Sequence, residues 1–138
     1  MPVCNIEGPS GLSFKSKGIL IQKVLHALLE AYQIPDDRVF ITEYEIANSG
    51  HSGHSQDGEL IVQKEKARPV CIVHAPEGLP VEPRRKLAES LTKYIADAYE
   101  INDYRDILLL IQEYPLHVVA NNGYLQNENP EFSSPATS

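Results

Sequence analysis

Two stretches of this 138-residue chain share their most unusual residues at the same spacing: Pro2-Val3-Cys4-Asn5-Ile6-Glu7-Gly8-Pro9 and Pro69-Val70-Cys71-Ile72-Val73-His74-Ala75-Pro76. A proline at a chain start can do chemistry that an internal one cannot. Behind Arg68, the Pro69 nitrogen is a tertiary amide, with neither basicity nor a proton. Once Met1 is removed, Pro2 carries a secondary amine on a rigid ring; methionine before a small residue such as proline is normally trimmed. An ordinary α-amino group has a pKa of roughly 7.7–8.0, and burial or nearby cations would pull it lower. A neutral amine near pH 7 can take a proton from a carbon beside a carbonyl and return it elsewhere. It can also attack a carbonyl as a nucleophile.

Other reactive side chains read more plainly. Cys4 and Cys71 hold the same slot in the two stretches and are expected as buried strand thiols in a reducing cytosol rather than as a disulfide. His51 and His54, in the tandem Gly-His-Ser run 50–55, have a spacing that could ligate a metal. No cysteine or carboxylate cluster completes such a site, so no metal is expected and a flexible glycine loop is.

The elements that must position Pro2 come in duplicate. Sliding the sequence on itself by 67 residues aligns 2–46 with 69–113 without a gap. Twelve of 45 positions are identical, against roughly three expected by chance, and self-similarity at a fixed offset is strong evidence about a fold. Each copy reads as strand, helix, strand. Residues 2–7 are short and apolar and end at Gly8-Pro9, a turn signal. From about Ser13 to Tyr32, Ile21, Val24, Leu25, Leu28 and Tyr32 recur on one helical face, with Ser13 as N-cap and Pro35 as the stop. Residues 39–46 alternate as a second strand. In the second copy, 69–74 is a strand, and about 80–99 a helix with Leu87, Leu91, Tyr94, Ile95 and Ala98 on its stripe. The segment 106–112 is a strand whose unbroken run Ile107-Leu108-Leu109-Leu110-Ile111 suits cover on both faces.

Strand–helix–strand units imply parallel strands within each unit. The expected fold class is therefore α+β: duplicated β-α-β units forming a four-stranded sheet with two helices on one face. The other sheet face would be bare and apolar, which a domain this small should hide in an oligomer. One domain over 1–125 is expected, built of a unit 2–46, a link 47–68 with a short edge strand at 59–63, a unit 69–113 and a C-terminal turn 114–125 holding Asn121-Asn122-Gly123. A polar tail follows over 126–138.

Composition excludes several classes. The formal charge of −7 argues against a nucleic-acid partner, which needs a basic face. No apolar run approaches the length of a membrane span, and the N-terminus lacks a secretory pattern, so a cytoplasmic protein is expected.

A methionine followed by Pro2, with a duplicated β-α-β unit, resembles the tautomerase superfamily. The first half is similar to 4-oxalocrotonate tautomerase at Arg38-Val39-Phe40-Ile41-Thr42-Glu43 and Ser49-Gly50-His51-Ser52-Gly53. The second half is similar to cis-3-chloroacrylic acid dehalogenase and its relatives at Ile72-Val73-His74, Glu113-Tyr114-Pro115 and Asn122-Gly123. The resemblance covers roughly residues 2–125. It implies a trimer, no cofactor, Pro2 as the catalytic group, and a small carbonyl acid as substrate, whose carboxylate is met by arginines. On that basis Arg38 is the anion anchor, serving its own subunit's site or, as the matching arginine of 4-oxalocrotonate tautomerase does, a neighbour's, and Arg105 is its pseudo-symmetric counterpart; each could instead be a surface arginine paired with a nearby aspartate. Asn121 could hydrogen-bond a substrate carbonyl, or simply be a turn asparagine.

Several family positions differ. The dehalogenase arginines fall at Gly78 and Val81, its late glutamate at Asn121, its helix-one histidine at Leu29 with His26 one turn away, and its last-strand tyrosine at Leu110. Arg84 and Arg85 could stand in for the arginines but by position read as a solvated helix start. The expected function is cofactor-independent keto–enol tautomerisation, or related proton transfer, on a small carbonyl acid. The alternatives are a related hydratase, dehalogenase or decarboxylase, or a non-catalytic protein of the same fold that binds or assembles.

Overall fold

A computed structural model of the chain describes residues 2–35, 37–63 and 66–130. Met1, Asp36, the link residues Lys64 and Glu65, and the tail 131–138 lie outside the described residues. The elements are β1 (Val3–Pro9), α1 (Phe14–Tyr32), β2 (Arg38–Tyr44), β3 (His51–His54), β4 (Leu60–Gln63), β5 (Val70–Pro76), α2 (Val81–Tyr99), β6 (Leu108–Tyr114), β7 (Ala120–Asn121) and β8 (Tyr124–Leu125).

The main sheet runs β2-β1-β5-β6. Within each unit the strands are parallel, and the two units meet along the antiparallel pair β1 and β5. The antiparallel join sets Pro2 and Pro69 at opposite ends of the sheet, roughly 20 Å apart at about 3.3 Å per residue. Cys4 and Ile6, with Cys71 and Val73, point under the helices and are fully buried with Leu20, Val24, Leu28, Tyr32, Leu87, Leu91 and Ile95. The thiols of Cys4 and Cys71 are free, their sulfurs 3.2 Å apart in this core. Burial and the contact with Cys4 push the Cys71 thiol well above its ordinary value, the hydrogen bond to Cys4 weighing most.

Helix ends follow local chemistry. The Ser13 hydroxyl accepts from the Ser16 N–H, capping α1 as its sequence suggests. Both helices close on a left-handed residue that is not glycine: Gln33 (φ 59°), whose N–H donates to Leu29 O, and, 67 positions on, Glu100 (φ 56°). The α1 helix thus stops at Tyr32, three residues before Pro35.

Three expectations need correction. The gap-free repeat ends before the second strand of each unit. Val3 pairs with Arg38, but Val70 pairs with Leu108, so the offset rises from 67 to 70. A 3-10 turn over Tyr104–Asp106 takes up the three extra residues. The backbone repeats the pairing: the Arg38 N–H donates to Pro2 O at 3.1 Å and the Leu108 N–H to Pro69 O at 3.2 Å. Leu108, not Arg105, is therefore the structural counterpart of Arg38.

The second correction concerns β6, which is covered on one face only; Leu108 and Leu110 are 52% and 45% exposed on the other. The third concerns the Gly-His-Ser run, which is strand β3, paired antiparallel with β4 in a separate hairpin, rather than a loop. Across the sheet face away from the helices, the register sets Phe40, Asn5, Ile72 and Leu110 in one row, and Phe40 is 54% exposed. This is the bare apolar face that duplicated β-α-β units imply. Among the described residues no helix is long and apolar enough to cross a membrane.

Candidate active site

Pro2 is buried to below 2% exposure at the head of β1. The antiparallel register matches Val3 with His74, and one step further sets Pro2 level with Ala75. Val3, His74 and Ala75 belong to the wall of a cavity of about 390 Å³. Pro76 and Tyr114 extend that wall along the ends of β5 and β6, and Val118, Val119, Ala120 and Gln126 close it from the C-terminal segment.

That segment is brought back over the sheet by local turn chemistry. A 3-10 turn at Leu116–Val118 follows Pro115, and a two-residue turn at Asn122-Gly123 joins β7 to β8. Both turn residues have positive φ, 53° and 80°, as a tight hairpin of the primed type requires. The Gln126 N–H then donates to Val119 O at 2.8 Å, fastening the end of the hairpin to the cavity wall. Gln126 is 5% exposed, so the packed domain extends past the boundary expected at residue 125.

The polar groups of the wall are few. His74 and Tyr114 stack with ring centroids 5.8 Å apart, and His74 Nδ1 and the Tyr114 hydroxyl share a hydrogen bond of 2.6 Å. The neighbour of Tyr114 on the opposite face of β6, Glu113, is tied to α2. Arg84 Nη2 donates to Glu113 Oε1 at 2.5 Å and to Leu79 O at 2.9 Å. Arg84 is therefore not a solvated helix-start residue; it anchors the end of β6 that presents Tyr114. Arg85, in contrast, is exposed and paired with Glu82. Tyr32 lies in the field of the Glu113–Arg84 pair. Burial, and secondarily the Glu113 carboxylate, push its phenol up to about 12, partly offset by Arg84.

The sequence-chosen residues are distributed unevenly around this site. Arg38 is exposed and begins β2 on the far side of β1, with Val3 between it and His74 in one row of the sheet face away from the helices. Among the described residues no arginine walls the cavity. Asn121 is in β7, next to the wall residue Ala120, and opens the Asn122-Gly123 turn. Arg105 is elsewhere: it borders a second cavity of about 420 Å³ at the opposite end of the sheet, with Arg68, Pro69 and Asp106. Its guanidinium, 90% exposed, bonds Asp103 at 2.9 Å. Asp103 also caps the Tyr104–Asp106 turn by accepting from the Arg105 N–H, and the guanidinium holds its carboxyl below the usual range. Within the protomer Arg105 therefore stands away from Pro2: three extra residues set it out of register with Arg38 and an adjacent aspartate holds it. His51 and His54 sit in the β3–β4 hairpin, and among the described residues no group of three or more His, Cys, Asp or Glu side chains could hold a metal.

Sequence reasoning missed Gln126, which lies beyond the last recognised motif. His74 and Tyr114 were visible only as members of the stretches Ile72-Val73-His74 and Glu113-Tyr114-Pro115, with no role attached.

No protein-family model and no curated protein sequence matches the chain. Solved structures do match in shape. A native fused 4-OT crystal structure superposes with a TM-score of 0.75 at 21% identity, covering 91% of this chain and 96% of that one. A wild-type fused 4-OT symmetric trimer gives 0.74 at 18%, with the same coverage. The FG41 malonate semialdehyde decarboxylase inhibited by 3-bromopropiolate gives 0.71 at 19%, covering 96% and 99%. At these identities the likeness establishes the fold: the chain has the fused, two-unit tautomerase fold.

Proposed function

We propose, from that fold as premise, that this protein is a cofactor-independent enzyme that moves a proton within a small carbonyl acid, with Pro2 of the mature chain as the base and then the acid. The observation that carries the reading is the burial of Pro2, below 2% exposed and one residue before Val3, which is on the wall of a largely apolar cavity that Pro2 itself does not line. Enclosure disfavours the charged form of a free amine. The neutral nitrogen takes a proton from the enol hydroxyl, or in the reverse direction from carbon beside the carbonyl, becomes a secondary ammonium, and gives the proton back at the other of those two atoms of the same molecule. At Pro69 the same position is occupied by an amide nitrogen, so one unit is catalytic and the other is structural.

Because no arginine among the described residues walls the cavity in the protomer, the substrate carboxylate takes its countercharge from Arg38 of a neighbouring copy in a homotrimer. The exposed apolar row at Phe40 and Leu110 is the surface that such a trimer would cover. Asn121, in β7 next to the wall residue Ala120, is the partner proposed for the substrate carbonyl.

The test is covalent and direct. 3-Bromopropiolate, an activated alkyne acid, reacts with a free secondary amine and not with an amide. Intact mass should first show loss of Met1, then addition of one probe-derived group per chain, mapped to Pro2 by peptide sequencing. Ketonisation of phenylenolpyruvate should fall by at least about a hundredfold in Pro2→Ala, within the range lost when a positioned acid–base group is removed. Retention of Met1, labelling elsewhere, or activity unchanged in Pro2→Ala would each refute the reading.

A further inference from the structure

The duplication that sets Pro2 near one cavity sets Pro69 at another. Pro69 is also below 2% exposed, and it lines the cavity of about 420 Å³ at the far end of the sheet. Register makes the two cavities counterparts. The pair Val3–His74 at one end of the β1–β5 ladder answers to Val70–Glu7 at the other, and Tyr114, opposite Pro76, answers to Tyr44, opposite Pro9. Val3, His74 and Tyr114 line the first cavity; Val70, Glu7 and Tyr44 line the second. Small-molecule sites have volumes of roughly 300–1,000 Å³, and this one is of that size.

The two cavities differ in charge. Among the described residues no lysine or arginine lines the first. At the second, the chain leading into Pro69 supplies Lys66 and Arg68, and the turn before β6 supplies Arg105 and Asp106. Asp106 is 8% exposed, and a carboxylate so buried must be paired. It faces two cations, Lys66 at 3.1 Å and Arg68 Nε at 3.7 Å, so two positive charges share one negative. Arg105 is held by Asp103. Glu7 accepts from the Asn5 amide at 3.3 Å and forms no ion pair among the described residues. Arg68 makes no hydrogen bond among the described residues, and 43% of its side chain is exposed. A guanidinium offers five N–H donors in a planar fork, which a carboxylate meets with two parallel bonds. Pro69, Val70, Ile107 and Leu108 make the rest of the nearby wall apolar.

From these contacts we infer that the Pro69 cavity is a second ligand site, which binds a small carboxylate with an apolar body through the Arg68 guanidinium, with Lys66 beside it. The Pro69 nitrogen is an amide without a proton, so the step assigned to Pro2 has no counterpart here and the ligand is bound unchanged. The inference goes beyond the activity proposed for Pro2 and does not depend on it.

The probes are benzoate and benzamide, alike in shape and different in charge. Binding to the full-length protein is read at the backbone amide resonances of Val70 and Leu108. A ligand in the Pro2 cavity moves Val3 and Val119 instead and is counted separately. At Val70 and Leu108 benzoate is expected to bind at least about tenfold more tightly than benzamide, because its bonds to Arg68 are charge-assisted. Its affinity should fall as salt is raised from about 20 mM to about 0.5 M. Arg68→Gln should weaken benzoate at least about tenfold, and Arg68→Lys, which keeps the charge but not the fork, by less. Glu7→Gln should tighten it by removing a like charge from the wall. Equal binding of the two probes, binding of neither, shifts confined to Val3 and Val119, or benzoate affinity unchanged in Arg68→Gln would each overturn the inference. The wild-type comparison of the two probes decides the matter even if a variant fails to fold. Failure of 3-bromopropiolate to label Pro2 would remove the enzymatic reading and leave this result untouched.

Discussion

Gly8→Ala is a substitution of one methyl group whose cost can be worked from the structure. A Cβ at Gly8 would lie 2.5 Å from both Cζ and Oη of Tyr99 and 2.9 Å from its Cε1. Ordinary contacts begin near 3.4 Å, so the ring must retreat by about 1 Å in an interior packed as densely as an organic crystal. Tyr99 packs against the core at the end of α2, and its hydroxyl is enclosed without a partner among the described residues, so no polar contact guides it elsewhere. Overpacking of this kind costs about 1–3 kcal/mol. Alanine in a strand recovers about 0.5–1 kcal/mol of that through backbone entropy. The net expectation is a loss of about 1–2 kcal/mol.

The assay is equilibrium unfolding in urea by circular dichroism at one fixed protein concentration, because the apparent stability of any oligomer depends on concentration. Repeating the substitution in a Tyr99→Leu background isolates the contact. There the penalty should vanish, leaving alanine stabilising by about 0.5–1 kcal/mol and giving a coupling of about 1–3 kcal/mol, the overpacking cost alone, in a double-mutant cycle. A Gly8→Ala protein as stable as the wild type, or a penalty that persists without the Tyr99 ring, would refute the argument. The comparison is pointed because the counterpart of Gly8 in the second unit is Ala75, which carries its methyl while 2% exposed.

Three further expectations follow from other contacts. Cys4 and Cys71 are both 0% exposed and free, so a thiol reagent should label neither in native protein and both in 6 M guanidinium; fast native labelling would contradict the core described. Tyr32, fully buried, has its phenol raised from 10.0 to about 12, so the folded state holds its proton more tightly than the unfolded chain. Its contribution is complete below pH 10 and is lost as pH rises toward 12, by roughly 2 kcal/mol. Tyr32→Phe should flatten that alkaline slope and leave neutral-pH stability within about 1 kcal/mol, since the hydroxyl has no partner among the described residues. Leu110→Lys on the exposed sheet face should convert the proposed trimer to monomer by light scattering while leaving the far-ultraviolet dichroism unchanged; an unaltered mass would show that this face is not the interface.

What local sequence decides, the sequence determined. The two helices were legible to within a residue because their signals are local: a 3.6-residue apolar period and, for α1, a serine cap three residues before the Ser16 N–H it accepts from. The duplication was legible because twelve identities share one offset, and with it came the parallel units and the two helices on one face. The tertiary structure decided the rest, because those features depend on distant pairings. Only strand register shows that Leu108 stands where Arg38 does and that Arg105, three residues early, belongs to Asp103. Only the return of the C-terminal hairpin turns Gln126, a polar residue in a polar stretch, into the buried group of the Pro2 cavity. A strand's alternation says that one face is buried, but burial of a particular amide depends on which segment folds over it, and no local pattern encodes that.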